Sequence, residues 1–282
     1  MAPFAAKHIA FALLTLHPAA APPDPALHFI FPLAMTVALF IPCYVDQFYP
    51  KAGIATLELL EKLGCEVVFP QEQTCCGQPL ANSGMAKEAR PIYEHFVETF
   101  SEFDYIVCPS GSCVYHVRHH YDTLGPSPEV TAIRERTYEL AEFLVNILKV
   151  EQLDAYFPRR VGIHNSCHGL RGLRLGKGTE RVGEGFSHYA YLLSLVEGVK
   201  LVQLERTDEC CGFGGTFSVN EPELSAKMGR DRLDDHLRHQ SEIITSGDMS
   251  CLMHLEGLIR REGRNLRVMH VAEILNSGPA RC

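Results

Sequence analysis

The chain carries the stretch Thr74-Cys-Cys-Gly77 in its first half and Glu209-Cys-Cys-Gly-Phe-Gly-Gly215 in its second half. A lone cysteine precedes each vicinal cysteine pair, by 32 positions in the first half and by 43 in the second. Another cysteine follows each pair in a short Ser-Cys-(Val/Leu) segment. The matched sets are Cys43, Cys75, Cys76 and Cys113, and Cys167, Cys210, Cys211 and Cys251. This repetition predicts two similar lobes related by pseudo-twofold symmetry.

Strand-like and helix-like segments alternate around both motifs. The strand-like segments are short apolar runs at 37–41, 67–69, 105–107, 160–163, 200–204, 243–244 and 267–269. The helix-like segments lie at about 51–63, 91–100, 136–148, 181–196, 221–239 and 270–276. Alternation of this kind favours α/β halves with largely parallel sheets.

The sequence therefore predicts an α/β fold of two pseudo-symmetric lobes, each a small, largely parallel sheet flanked by helices. We place the first cysteine-rich domain at residues 35–150 and the second at residues 151–282, with the seam near 150–158. Loops converge at the carboxyl ends of the strands in such folds, so we expect the cysteines to meet there.

The N-terminal segment, residues 1–34, differs in composition from the rest of the chain. It carries only Lys7 and Asp24 as formal charges and is rich in alanine, proline and histidine. An apolar run at 9–16 is similar to a weak signal peptide, and it is too short to span a bilayer. We expect instead a disordered extension or an artefact of start-site choice, because a strand-like run begins directly at Met35.

Composition limits the possible partners and location. The 282 residues are 46% apolar and 21% charged, with a net charge of −8. No stretch is basic enough to bind nucleic acid. Eleven cysteines in a chain of this length do not resemble a short secreted disulfide scaffold. We therefore expect reduced thiols, a cytoplasmic location and no stable membrane span.

Each matched set offers four thiols from separated loops, which suits an iron–sulfur or a zinc site. The vicinal pairs favour iron–sulfur, because adjacent side chains diverge and a cluster with several irons can use both. Gly77 and Gly212 follow the pairs and are expected to let the backbone approach the cluster, where N–H groups tune its potential. Buried structural cysteine is the alternative interpretation.

Three cysteines have no counterpart in the repeat. Cys65 lies in a helix-to-strand turn and is expected in the core, and Cys282 is terminal. Cys108 lies five positions before Cys113, where the second half has Ser246. Cys108 is therefore either a fifth ligand of the first cluster or a spare thiol.

Several segments between residues 35 and 277 resemble the cysteine-rich-domain family, known for its Cys-Cys-Gly motif. The segments that carry the resemblance are Pro42-Cys-Tyr-Val-Asp-Gln-Phe-Tyr-Pro50, Thr74-Cys-Cys-Gly-Gln-Pro79, Pro109-Ser-Gly-Ser-Cys113, Asn165-Ser-Cys-His168, Cys210-Cys-Gly-Phe-Gly-Gly-Thr-Phe-Ser218 and Cys251-Leu-Met. The family includes the cysteine-rich subunit of heterodisulfide reductase and the iron–sulfur subunits of glycolate oxidase and anaerobic glycerol-3-phosphate dehydrogenase. The details are most similar to its lactate-utilisation branch.

The resemblance implies an iron–sulfur electron-transfer subunit of a multi-protein system that oxidises L-lactate, a 2-hydroxy acid, to pyruvate. It also implies two clusters, expected to be of the 4Fe–4S kind, and two partners: a ferredoxin-domain iron–sulfur protein and a third lactate-utilisation protein. The fuller family motif ends in Cys-x-x-Cys, which this chain lacks, so the cluster type stays open. A cluster-dependent disulfide or quinone reductase subunit is the alternative function, and a zinc-stabilised scaffold is a weaker one.

Other polar residues lie near the cysteines. His164 and His168 flank Cys167; an outer-sphere or proton-relay role is possible chemistry, but we expect loop histidines with satisfied hydrogen bonds. Asp248 is either a substitute for the missing thiol near Cys251 or an ordinary turn residue. The sequence assigns no catalytic residue.

Overall fold

Two four-stranded parallel sheets, one in each half of the chain, organise the protein. The computed structural model describes residues 35–279, so the predictions for residues 1–34 and for Cys282 lie outside it. The first sheet has the order β2-β1-β3-β4 and the second the order β6-β5-β7-β8. The strands are β1 (Met35–Leu39), β2 (Cys65–Val68), β3 (Tyr105–Cys108), β4 (Thr137–Glu139), β5 (Arg160–Ile163), β6 (Lys200–Leu201), β7 (Ile243–Ser246) and β8 (Arg267–His270).

Helices cover the sheets and connect successive strands. They are α1 (Cys43–Phe48), α2 (Pro50–Lys62), α3 (Gln78–Asn82), α4 (Ala86–Phe100), α5 (Gly111–His120), α6 (Pro128–Arg136), α7 (Leu140–Glu142), α8 (His188–Ser194), α9 (Phe217–Asn220), α10 (Pro222–Arg238), α11 (Met249–Glu262) and α12 (Val271–Leu275). The chain also forms a 3₁₀ turn at Tyr121–Leu124 and π turns at Phe143–Ile147 and His168–Gly172. The predicted α/β fold with two parallel sheets flanked by helices is confirmed. The domain boundary near residue 150 stays a prediction.

Strand order explains why the cysteines converge. In the first sheet β1 lies between β2 and β3, so the chain leaves β1 first towards one side of the sheet and later towards the other. Loops that diverge in this way open a crevice at the carboxyl ends of the strands. Cys43 begins α1 just after β1, and Cys113 lies in the first turn of α5 after β3. The second sheet repeats this arrangement around β5 and β7.

Two predicted helices differ from the structure. The helix expected at 136–148 begins with strand β4, because Thr137 and Tyr138 pair with Ile106 and Val107 of β3 before the chain turns helical. The helix expected at 181–196 is limited to α8.

The shorter α8 has a local cause. Gly183 has a positive φ of 93°, which interrupts a helix. The helix begins only where Ser187 accepts a hydrogen bond from the Ala190 N–H and caps it.

The carboxyl ends of the two sheets face each other. Ser110, just after β3, forms an antiparallel bridge with Asp248, just after β7. The neighbouring Gly111 N–H donates to the Gly247 carbonyl at 3.4 Å. The two cysteine-bearing edges are therefore held against one another. Within the described residues, no helix has the length and apolar character needed to cross a bilayer.

Candidate metal centre

The first cysteine set is assembled from three loops. The sulfurs of Cys43 and Cys75 are 3.9 Å apart, although 32 residues separate them in the chain. Cys76 is 2% exposed, and its thiol interacts with the thiols of both Cys75 and Cys113. The four thiols predicted from the sequence thus form one continuous group.

The second set has the same arrangement. The Cys210 thiol interacts with the thiols of Cys167 and Cys211, and the Cys211 thiol also interacts with that of Cys251. Cys167 is exposed, whereas Cys211 is buried. The structure therefore brings together all eight matched cysteines, four in each lobe.

Both sets open onto one cavity between the lobes, with a volume of about 340 Å³. Cysteines from both sets line it: Cys43, Cys76, Cys113, Cys167, Cys210, Cys211 and Cys251. Tyr44 from the first lobe packs edge-on against Phe213 from the second, at 5.9 Å between ring centroids, and both rings line the cavity. The two sites are thus neighbours across a shared space.

The glycines after the pairs have the backbone conformation that the motif requires. Gly77 has φ of 86° and Gly212 has φ of 88°, values that favour glycine. The Gly77 N–H donates to the Cys75 sulfur at 3.4 Å, and the Gly212 N–H donates to the Cys210 sulfur at 3.3 Å. Hydrogen bonds of this kind stabilise thiolates and tune a bound metal.

Comparison with known proteins identifies this arrangement. A family model described as the cysteine-rich domain (CCG) matches residues 37–118 and 161–256. The chain belongs to the cysteine-rich domain family.

Individual relatives of this cysteine-rich domain protein match it over most of their length. Lactate utilization protein A of Exiguobacterium sp. is 42% identical over 248 residues, which cover 86% of this chain and 97% of that protein. The protein of the same name from Geobacillus sp. is 40% identical over 247 residues, covering 86% of this chain and all (100%) of that protein. A putative Asp/Glu racemase structure from Yersinia pestis aligns over 86% of this chain and 96% of its own, with 11% identity and a TM-score of 0.35, too low to inform fold or function.

In each set of this cysteine-rich domain protein, one thiol has a pKa low enough to favour the thiolate. Hydrogen bonds from the thiols of Cys43 and Cys76, with the Gly77 N–H, lower the pKa of Cys75 to about 3. The thiols of Cys167 and Cys211, with the Gly212 N–H, lower the pKa of Cys210 to about 2. The pKa values of the partner thiols Cys43 and Cys167 are raised, first by these hydrogen bonds and then by partial desolvation of the two sulfurs. A bound cation would replace these thiol protons, so the chemistry of each set is suited to holding a metal.

The remaining cysteines lie in two different environments. Cys108 is fully buried, and its thiol interacts with the Cys113 thiol next to the first set. This position is compatible with Cys108 as a fifth ligand of the first cluster and with Cys108 as a spare thiol. Cys65 is 7% exposed in the core, and burial raises its pKa to about 11.

Asp248 of the second lobe accepts hydrogen bonds from the first lobe. Its Oδ2 accepts a hydrogen bond from the Ser112 N–H at 2.9 Å. Its Oδ1 accepts from the hydroxyls of Ser112 at 3.1 Å and of Ser250 at 2.9 Å. Both oxygens are therefore engaged in the turn and the lobe contact, which favours the turn interpretation over that of a substitute ligand.

His164 does not fit the expectation of a satisfied loop histidine. It is 1% exposed, and within residues 35–279 neither ring nitrogen has a hydrogen-bond partner. One of its ring nitrogens and the sulfurs of Cys211 and Cys251 all lie within 4.8 Å of one another. Burial and the nearby Arg232 charge lower the pKa of His164 to about 3, so the imidazole is neutral. The His168 ring, by contrast, packs at a tilt against the Tyr115 ring, with 5.0 Å between the ring centroids.

Two further histidines were not predicted from the sequence. His116 and His254 each follow the last cysteine of a set by three positions, so a Cys-x-x-His pattern is repeated in both halves. Burial lowers the pKa of His116 to about 4 and lowers that of His254. Each is close enough to interact electrostatically with the first cysteine of its pair, Cys75 or Cys210. The repeated Cys-x-x-His spacing could have identified these histidines in the sequence. Residues three apart lie on one face of a helix, so each histidine is expected beside the cysteine that precedes it.

Proposed function

We propose that this protein is an iron–sulfur subunit of a multi-protein system that oxidises lactate to pyruvate, and that it carries electrons through two clusters. The observation that supports this most is the convergence of two symmetry-related four-thiol sets on one cavity. Its relatives in Exiguobacterium and Geobacillus are named for lactate utilization, which supports the substrate class.

The donor chemistry fits an iron–sulfur group. Cys43, Cys75, Cys76 and Cys113 would hold the first cluster, and Cys167, Cys210, Cys211 and Cys251 the second. An iron–sulfur cluster bound there supplies one-electron transfer. The chain's own residues orient the thiolates and stabilise their charge through N–H donors, among them Phe213, whose N–H lies 3.5 Å from the Cys211 sulfur.

The rest of the assembly is part of the proposal. We propose that a ferredoxin-domain iron–sulfur protein and a third lactate-utilisation protein are the partners, and that the carbon chemistry takes place on a partner. Reduced thiols in both sets support a cytoplasmic location, where disulfides are rare.

The cavity favours a second candidate, direct reduction of a disulfide or quinone by a cluster. A space of about 340 Å³ bordered by both thiol sets includes the volume that the clusters would occupy, so a small substrate that entered the remainder would lie in contact with a cluster. Turnover of a disulfide or a quinone by the isolated chain distinguishes this activity from electron transfer between proteins.

Metal analysis tests the proposal. We expect anaerobically purified protein to hold about eight irons and as many acid-labile sulfides, with EPR signals that change on reduction. Cys75→Ala/Cys76→Ala should remove the iron of the first site, and Cys210→Ala/Cys211→Ala that of the second. Cys65→Ala, a core cysteine outside both sets, is the matched control and should keep the full iron content.

Zinc is the result that would overturn the iron–sulfur assignment. The 3.9 Å between the Cys43 and Cys75 sulfurs is close to the spacing of two thiolates on one tetrahedral zinc, about 3.8 Å for Zn–S bonds of about 2.3 Å. Protein that contains stoichiometric zinc and no sulfide would support the scaffold instead. Full iron content with no lactate-dependent cluster reduction in the presence of the partners would reject the lactate role alone.

A further inference from the structure

His164 occupies a fixed position at the edge of the second cysteine set. It follows β5 directly, and its N–H donates to the Thr245 carbonyl of β7 at 2.7 Å. The side chain is 1% exposed, and neither ring nitrogen has a hydrogen-bond partner among the described residues. A buried polar group without a partner is costly and rare, so we expect a group outside the described residues to complete this site.

The imidazole lies beside two thiols of the second set. A ring nitrogen of His164 and the sulfurs of Cys211 and Cys251 are all within 4.8 Å of one another. Metals bind imidazole nitrogen at about 2.0 Å and thiolate sulfur at about 2.3 Å, so small side-chain rotations bring these three atoms onto one metal. Neutral imidazole is a common metal ligand.

The first lobe differs at both relevant positions. Phe40 occupies the place of His164 after β1, where its N–H donates to the Val107 carbonyl at 2.9 Å. Its ring packs edge-on against Phe96 in the core at 4.9 Å. Conversely, β3 ends in the buried Cys108, whose thiol interacts with the Cys113 thiol, whereas β7 ends in Ser246. Each lobe thus places one further nitrogen or sulfur atom beside its cysteine set, at the end of a different strand.

We infer that His164 is a nitrogen ligand of the second metal site, which therefore has a mixed donor set of four cysteines and one histidine. The inference rests on the proposed iron–sulfur function. A neutral imidazole brings one negative charge less than a thiolate. Histidine ligation raises the potential of iron–sulfur centres, so the second cluster is the better electron acceptor of the two if Cys108 ligates the first.

Nitrogen hyperfine spectroscopy tests this assignment. The full chain is produced with ¹⁵N-labelled histidine and with Cys75→Ala/Cys76→Ala, so that iron occupies the second site alone. It is reconstituted anaerobically with ferrous iron and sulfide. Pulsed EPR should then show the strong ¹⁵N coupling of a directly bound imidazole. The coupling should disappear in His164→Phe, which installs the residue of the first lobe.

Two controls separate His164 from its neighbours. His168→Asn, next to Cys167, and His254→Gln, three residues after Cys251, should both keep the coupling. His164→Cys should restore the iron bound relative to His164→Phe, lack the coupling and have a lower reduction potential than the histidine protein. It also serves as the folded comparison if His164→Phe does not fold.

The outcomes are distinguishable. Iron bound in the second site without ¹⁵N coupling, or a coupling that persists in both His164→Phe and His164→Cys, overturns the ligand assignment and leaves the iron–sulfur function intact. A chain that binds no iron after reconstitution overturns both.

Discussion

Gly212 controls the direction of the second cysteine pair. Its φ of 88° lies in the left-handed region, and a Cβ there would lie 2.5 Å from the Ser225 carbonyl oxygen and 2.8 Å from the Met228 Cβ. Its own carbonyl accepts a hydrogen bond from the Ser225 hydroxyl at 2.7 Å. The pair is therefore held against α10 by a contact that only glycine permits.

Gly212→Ala tests this contact. We expect the free energy of unfolding to fall by about 1–2 kcal/mol for the backbone conformation, and by a further ~1–3 kcal/mol for the clash with Ser225. The iron bound at the second site should also decrease. Denaturant unfolding under anaerobic conditions and iron analysis measure the two effects.

Gly84→Ala is the matched control for the cost of placing alanine in the left-handed backbone conformation. Gly84 has φ of 79°, but nothing lies within 4 Å of the position that a Cβ would take there. This variant should show the conformational cost alone and keep its iron. Equal destabilisation by the two substitutions would mean that the contact with Ser225 does not constrain the pair.

At the scale of elements, helix α10 supports the loop that leads to Cys210. Asp235 accepts hydrogen bonds from the N–H groups of Glu205 and Arg206, at 3.3 and 3.1 Å. Arg232 pairs with Asp235 at 3.1 Å, and the side chains of both residues are fully buried. The Arg232 guanidinium also donates to the Arg206 carbonyl. This ion pair thus joins the helix to the loop.

We expect Asp235→Asn to destabilise the protein by on the order of 3–5 kcal/mol, because it leaves the buried Arg232 charge without its partner. Thermal or denaturant unfolding measures the change. Asp231→Asn, on the same helix, breaks a solvent-exposed pair with Lys227 and should have little effect. If both variants unfold at the wild-type midpoint, the buried pair is not what holds the loop.

At the scale of the whole molecule, Glu139 is buried where the lobes meet. It ends β4 in the first lobe and accepts a hydrogen bond from the Tyr189 hydroxyl of the second lobe at 3.2 Å. Burial raises its pKa to about 8, against the opposing effect of the N–H groups of Glu142 and Ala141. The folded protein therefore keeps this proton to a higher pH than the unfolded chain, whose glutamates titrate near about 4.3.

This shift predicts how stability depends on pH. Because the folded state holds the extra proton, the free energy of unfolding should fall as the pH rises from about 4.3 to about 8, by up to about 1.4 kcal/mol per pH unit. Glu139→Gln cannot titrate and should flatten this slope, which unfolding at several pH values measures. Glu135→Gln, an exposed position on α6, should keep the wild-type slope. An unchanged slope in Glu139→Gln would show that another group dominates.

Much of the architecture was predictable from local patterns. Short apolar runs marked most strands, and the repeated vicinal cysteines marked two lobes. Strand β4 was missed because Thr137–Glu139 lies between helical segments and becomes a strand only by pairing with β3. The repeat contained a hint, since Leu140-Ala-Glu-Phe-Leu144 matches Val271-Ala-Glu-Ile-Leu275, which follows strand β8.

The sequence by itself determined the fold class and the two matched cysteine sets, because strand and helix periodicity and motif spacing are local properties of the chain. Only the tertiary structure decided that both sets border one cavity, that Asp248 is engaged across the lobe contact, and that His164 is buried without a partner beside Cys211 and Cys251. These features depend on the packing of residues far apart in the chain: Ser112 and Asp248 are separated by 136 positions. Contacts between side chains so far apart in the sequence depend on the strand order and on how the two lobes pack, and no local sequence pattern encodes either.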